Sequence, residues 1–174
     1  YWQARAVNPG GVIEADAATW WSFTTTTAPP NSWPPYTPPG SATFGDTPAT
    51  HWAWDWIERL YSAGITGGCG NGNYCPEEPV TRAQIAVFLL RGVHGSGYTP
   101  HAATGAIFAD VPATHWAANW IEQFYAEGIT GGCGGGGYCP EQPVTRAQMA
   151  VFLLRARYGS SYSPPALGST TGFG

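Results

Sequence analysis

Four cysteines, the arginines Arg82 and Arg146 and the tryptophans Trp52 and Trp116 recur in this chain at matched spacing, and their types are the ones that could carry chemistry. Cys69 and Cys75 form a C-x5-C pair in a Gly-rich loop, and Cys133 and Cys139 repeat it. Neither pair has the tight C-x2-C spacing of a zinc site. Four thiols allow three connectivities. Because the spacing repeats strictly, one disulfide per loop is expected ahead of a shared four-Cys metal site. Closing so short a loop would contribute roughly 2 kcal/mol in the chain-entropy model. No C-x-x-C-H is present, and neither metal nor cofactor is expected.

Arg82 and Arg146 each follow a Val-Thr and precede Ala-Gln. A guanidinium at a helix N-terminus adds a bidentate fork to the positive end of the dipole, and the two together suit a carboxylate. The same segments read equally as capping boxes, Thr81 with Gln84 and Thr145 with Gln148. Trp52 and Trp116 offer flat faces for sugar C–H surfaces, or core packing. His51 and His115 recur at the first turn of a helix as surface or packing residues. The acids Asp46, Glu58, Glu77, Asp110, Glu122 and Glu141 are scattered, with no paired-carboxylate site. The glycine loops lack the Lys of a phosphate-binding loop. No Ser/His/Asp or Cys/His arrangement emerges, so no catalytic residues and no enzyme activity are expected.

The elements that hold these residues come as a repeat. Phe44 to Tyr98 aligns without gaps on Phe108 to Tyr162, with 39 identities in 55 positions. Each copy reads as helix, loop, helix. Thr50 is the expected N-cap of the first helix. Trp52, Trp56, Ile57, Leu60 and Tyr61 then form one apolar face, and Gly64 stands where a left-handed C-cap belongs. The second helix starts at Thr81. Its run Ile85 to Leu90 is apolar all round, which demands cover from its partner helix and from a neighbouring repeat.

The combination resembles the S-layer homology repeat. That family opens on Phe-x-Asp-Val, carries a Trp early in its first helix and Gly-Ile at its end, and starts its second helix with Ile/Val-Thr-Arg-Ala-Glu. Here the corresponding residues are Phe44–Asp46 and Phe108–Val111, Trp52 and Trp116, Gly64-Ile65 and Gly128-Ile129, and Val80–Gln84 and Val144–Gln148. Gln84 and Gln148 stand where the family has Glu. The resemblance implies repeats packed around a pseudo-threefold axis, with grooves between them that bind anionic cell-wall polysaccharide. By that likeness Arg82, Arg146, Gln84, Gln148, Trp52 and Trp116 are the expected polysaccharide-binding residues.

Upstream, Tyr1 to Val7 alternates large and small residues, Asn8-Pro9-Gly10-Gly11 is a turn signal, and Trp20 to Thr24 is β-prone. This resembles the final hairpin of a fibronectin-type-III or Ig-like sandwich. The expected fold is therefore mainly α, with tandem helix-loop-helix repeats and an N-terminal β-hairpin from an incomplete sandwich. The expected divisions are 1–27 for the β segment, 28–41 for a Pro-rich extended linker, 42–98 and 99–162 for the repeats, and 163–174 for the start of a third.

Charge and hydropathy narrow the partners. The net charge is −4, and all seven cations are Arg, so no basic patch suited to nucleic acid is visible. No apolar run approaches the roughly 20 residues that span a bilayer. No signal peptide opens the chain, which is expected to be a piece of a longer exported precursor. Its expected role is a non-catalytic, extracellular anchor on a wall or envelope polysaccharide. The alternative is a subunit of a filament or surface lattice that self-associates through residues 1–27 by strand pairing.

Overall fold

A computed structural model describes residues 36–165, together with the backbone of residues 5–8 and 11–14. The chain divides into two units between Pro35 and Tyr36. In the first, strands β1 (Arg5–Asn8) and β2 (Gly11–Glu14) pair antiparallel, with Arg5 opposite Glu14 and Asn8 opposite Gly11. The β-prone stretch 20–24 and the expected opening of a third repeat at 172–174 lie outside the described residues. The second unit is mainly α. Its four helices among the described residues are α1 (Trp54–Ser62), α2 (Arg82–His94), α3 (Ala118–Ala126) and α4 (Arg146–Tyr158). None is long and apolar enough to cross a membrane.

The helix boundaries follow local chemistry, with one correction. Thr50 does not cap α1. The N-cap is Ala53, which contributes no side-chain hydrogen bond. Thr50 is instead consumed in a turn closed by His51 N–H donating to the Pro48 carbonyl at 2.7 Å. The capping task passes to the imidazole: Ala53 N–H donates to His51 Nδ1 at 3.2 Å, and Ala117 N–H to His115 Nδ1 at 3.1 Å. The capping boxes of α2 and α4 form as expected. Gln84 N–H reaches Thr81 Oγ1 while Thr81 N–H reaches Gln84 Oε1, and Thr145 and Gln148 repeat both bonds.

Helix α1 ends in a Schellman arrangement. Gly64, at φ +67°, donates to the Tyr61 carbonyl and Ile65 to the Leu60 carbonyl. That pair of bonds satisfies carbonyls the helix leaves open, and Gly128 and Ile129 do the same for α3. A Cβ on Gly64 would strike Ser96. The Gly-Ile pair is thus a stop signal whose glycine also sits under the exit from α2.

The close helix packings are between α2 and α3 and between α2 and α4; α1 with α2 is not among them. The main core accordingly lies between the repeats. Ala83, Ile85, Ala86 and Leu90 of α2 pack with Ala117, Ala118, Ile121, Phe124 and Phe152 of repeat 2. Helix α2 is therefore covered chiefly by the next repeat rather than by its own first helix. The expected apolar stripe of α1 is split. Ile57 is buried, while Trp52 is 84% and Trp56 73% exposed.

Candidate functional site

The two cysteine loops are stapled as Cys69–Cys75 and Cys133–Cys139, with Cα atoms 5.9 and 6.0 Å apart. Each loop is also clamped from the Phe-x-Asp opening of its repeat. Asp46 accepts from the backbone N–H groups of Tyr74 at 2.8 Å and Cys75 at 2.7 Å, and Asp110 accepts from Tyr138 and Cys139, both at 2.7 Å. The second cysteine of each pair has a positive φ, 59° at Cys75 and 58° at Cys139. The carboxylate thus holds a turn that costs an L residue strain. The Tyr74 N–H above all draws the Asp46 carboxyl below its ordinary range, against opposing desolvation. At Asp110 burial pushes upward, but the Tyr138 and Cys139 donors outweigh it. Phe44 and Phe108 lie under the same loops, where a Cβ at Gly68 or Gly132 would meet the ring and a loop carbonyl.

Arg82 joins the second of these loops to the first repeat. Its Nε donates to the Tyr138 carbonyl at 2.7 Å and its Nη2 to the Gly132 carbonyl at 3.1 Å. The guanidinium lies 4.8 Å from the Tyr138 ring centroid and 5.4 Å from that of Phe152, within the range of cation–π attraction. The backbone continues the seam: Arg82 N–H donates to the Gln142 carbonyl, Ala83 N–H to Pro140 and Val144 N–H to Val80. Two orphan donors of the first turn of α2 are thereby satisfied by the next repeat. Further along, Arg91 lies over Trp120 at 5.3 Å, and His94 Nε2 meets Glu127 at 2.8 Å. Arg82 itself is only 2% exposed.

Beside this seam runs a groove of roughly 320 Å³, lined by Arg82, Thr130, Gly132, Gln148, Phe152 and Arg155 among others. Two guanidinium groups line it and no carboxylate does, so its field favours an anion. Of the six residues expected from the sequence, Arg82 and Gln148 meet here. Gln84 lines a smaller recess of about 130 Å³ in repeat 1, which also includes Glu78. Trp52 lines a third recess with His51 and Trp56. Arg146 and Trp116 are exposed and line none of the three. Arg155, Tyr138 and the clamping role of Asp46 and Asp110 are not marked by any motif. The only available signal was that each recurs, as Arg91, Tyr74 and the paired aspartates.

Comparison with known proteins gives the repeats a family. The S-layer homology domain matches residues 43–86 and 107–150, just over half of the chain. A "Cell surface protein" of Thermoanaerobacter kivui is 36% identical over 104 residues, 58% of this chain and 13% of that protein. An "Endoglucanase" of Bacillus sp. (strain KSM-635) is 32% identical over 116 residues, 65% of this chain and 11% of the enzyme. A "Middle cell wall protein" of Brevibacillus brevis is 28% identical over 100 residues, 58% of this chain and 10% of that protein. The chain thus spans about a tenth of the length of these relatives.

Proposed function

This chain belongs to the S-layer homology family, whose domains are non-catalytic modules that hold proteins at the cell surface, and from that premise we propose that its inter-repeat groove binds an anionic cell-wall or envelope polysaccharide. The protein is accordingly extracellular and held at the cell envelope. The observation that carries the reading is the lining of the groove: Arg82 and Arg155 supply two positive charges, Gln148 an amide, and no carboxylate is among the lining residues, Asp110 acting on Arg82 from outside the lining. Arg82 already directs two donors inward, so it contributes charge at the floor, while Arg155 and Gln148 are the direct contacts. Trp52, Trp116, Gln84 and Arg146 extend the contact to neighbouring sugars as exposed or part-exposed platforms. Residues 1–27 belong, on this reading, to the β-sandwich of the cargo. Their use in polymerisation through strand pairing is the second reading, and it rests on β1 and β2 forming a two-stranded sheet among the described residues, the kind of pair whose edges take up a further strand.

Co-sedimentation of the full chain with purified anionic wall polymer tests the groove. Arg155→Gln and Gln148→Ala should each weaken binding, by about tenfold for the charge, and salt should weaken the parent. Arg82→Ala is a poor probe, since it also opens the seam. Binding that is unchanged in both variants, or that persists on polymer stripped of its acidic groups, would remove the reading.

A further inference from the structure

The hairpin at the tip of the first cysteine loop differs from its counterpart in one pair of residues with chemistry of its own. Gly70 pairs with Asn73 across the two-residue turn Asn71-Gly72, and Asn73 N–H donates to the Gly70 carbonyl at 3.0 Å. Both turn residues have positive φ, 53° at Asn71 and 75° at Gly72, the arrangement that favours Asn-Gly in tight hairpins. Repeat 2 closes the same turn with Gly135-Gly136, so the fold of the loop does not require an asparagine. Asn71 and Gly72 are both exposed. Among the described residues, no hydrogen bond holds the Asn71 side-chain amide or the Gly72 N–H. A Cβ at Gly72 would meet nothing within 4 Å, so solvent has free access to this peptide. The other asparagines lack that combination. Asn73 precedes Tyr74, whose N–H is held by Asp46 at 2.8 Å. Asn119 accepts from Ala103 N–H at 2.8 Å and precedes Trp120 inside α3. Asn8 precedes Pro9, whose nitrogen carries no hydrogen. Asn31 lies outside the described residues.

We propose that Asn71-Gly72 is a self-modifying site, at which the chain deamidates with water as its only co-reactant. Solvent hydroxide takes the Gly72 amide proton, and the nitrogen attacks Asn71 Cγ. A Cγ–N bond forms, the Cγ–Nδ2 bond breaks, and ammonia departs from a cyclic imide. Glycine suits the second position because it brings no Cβ against the closing ring. Water then opens the imide. Opening at Cγ gives aspartate. Opening at the Asn71 carbonyl carbon gives isoaspartate, with the main chain rerouted through the side-chain methylene. Either product adds one carboxylate, which takes the formal charge from −4 to −5. The isoaspartate turn is also longer. The bonds that sew it down, Gly45 N–H to the Gly72 carbonyl and Cys69 N–H to the Asn73 carbonyl, both at 2.9 Å, slacken as a result. The loop that seats Arg82 is spared, because it has Gly135 at the reactive position. Modification thus ages one loop and leaves the inter-repeat seam as it was.

Ageing of the full, disulfide-bonded chain in mildly alkaline buffer provides the test. Peptide mapping by mass spectrometry should find the amide-to-acid exchange at Asn71 and not at Asn73 or Asn119. Isoaspartyl methyltransferase with labelled S-adenosylmethionine should then methylate the aged chain. Asn71→Gly, which copies Gly135 of repeat 2, should lose most of that labelling while its circular dichroism stays that of the parent. In the converted protein, amide exchange should quicken at Gly45 and Cys69 and not at their repeat 2 counterparts, Ala109 and Cys133. An Asn71 that stays intact while a linear peptide of residues 69–75 converts would overturn the site. Labelling of Asn71→Gly equal to that of the parent would overturn it as well, and would place the reactive asparagine elsewhere. Conversion with exchange at Gly45 unchanged would overturn the loosening of the loop. Each of these failures leaves the polysaccharide groove untouched, since that assay depends on Arg155 and Gln148.

Discussion

Arg82 and Tyr138 grip each other in both directions: the Arg82 Nε donates to the Tyr138 carbonyl at 2.7 Å, and the Tyr138 hydroxyl donates to the Arg82 carbonyl at 2.7 Å. Burial raises the phenol well above its usual range, with Arg82 pulling the other way, so the hydroxyl remains a donor throughout the neutral range. The reciprocal pair ties the first turn of α2 to a loop that is itself stapled and clamped. Specificity at the seam follows, because only a residue with both charge and a fork can meet the Tyr138 and Gly132 carbonyls together.

The two motif arginines should therefore behave differently in stability measurements. Arg82→Ala leaves buried carbonyls without donors and opens space beside Phe152, and is expected to cost about 3 kcal/mol. Arg146→Ala, at an exposed position, should stay within about 0.5 kcal/mol of the parent. Urea midpoints at low protein concentration check both. Equal losses would mean that the seam does not depend on the buried guanidinium.

The disulfides should likewise differ in reach. Replacing Cys69 and Cys75 by Ser should cost roughly 2 kcal/mol, the entropy of one short loop. Replacing Cys133 and Cys139 by Ser should cost that much and also loosen the seat of Arg82. Amide exchange of Arg82 and Ala83, which donate to Gln142 and Pro140, should then quicken only in the second variant.

The aspartate clamps predict an acid limb. Folding depresses the carboxyl of Asp46 and of Asp110, so their stabilisation is complete above the unfolded value of about 3.9 and disappears as pH falls through the lower folded value. Thermal midpoints should decline below about pH 4. Asp46→Asn and Asp110→Asn should each lower the midpoint at neutral pH and flatten the acid decline. A steep decline that survives the double substitution would place the acid-sensitive groups elsewhere.

Local signals in the sequence were legible where a single turn decides the outcome. Thr81 with Gln84, the glycine stop at Gly64 and the two cysteine bridges all depend on residues within seven positions of one another. The seam was not legible in this way. Periodicity marks Ile85 to Leu90 as covered, but it does not say which helix does the covering, and here it is α3 and α4. Arg82 looked like a ligand contact because the cost of burying a guanidinium is met by carbonyls 50 and 56 residues away. Thr50 has a good capping side chain, yet the Pro48 turn takes it up before the helix starts, and His51 accepts the amide instead. Trp56 carries the hydrophobic pattern of a core residue and stands outside it, whereas its counterpart Trp120 is half-buried beneath Arg91; Trp52 and its counterpart Trp116 are exposed in both repeats.

Since α2 finds its cover in α3 and α4, the stretch of sequence that is duplicated and the stretch that folds are out of phase. A single 55-residue copy cut at its sequence boundaries would carry a second helix with its apolar face turned to water. Adding one whole copy gives a second helix a nearly identical neighbour and preserves the contact. Insertions between Gly95 and Phe108, which look like spacer changes on paper, fall inside the folding unit. Length variation in this architecture should therefore accumulate by whole periods, with its break points tolerated only where α1 meets α2.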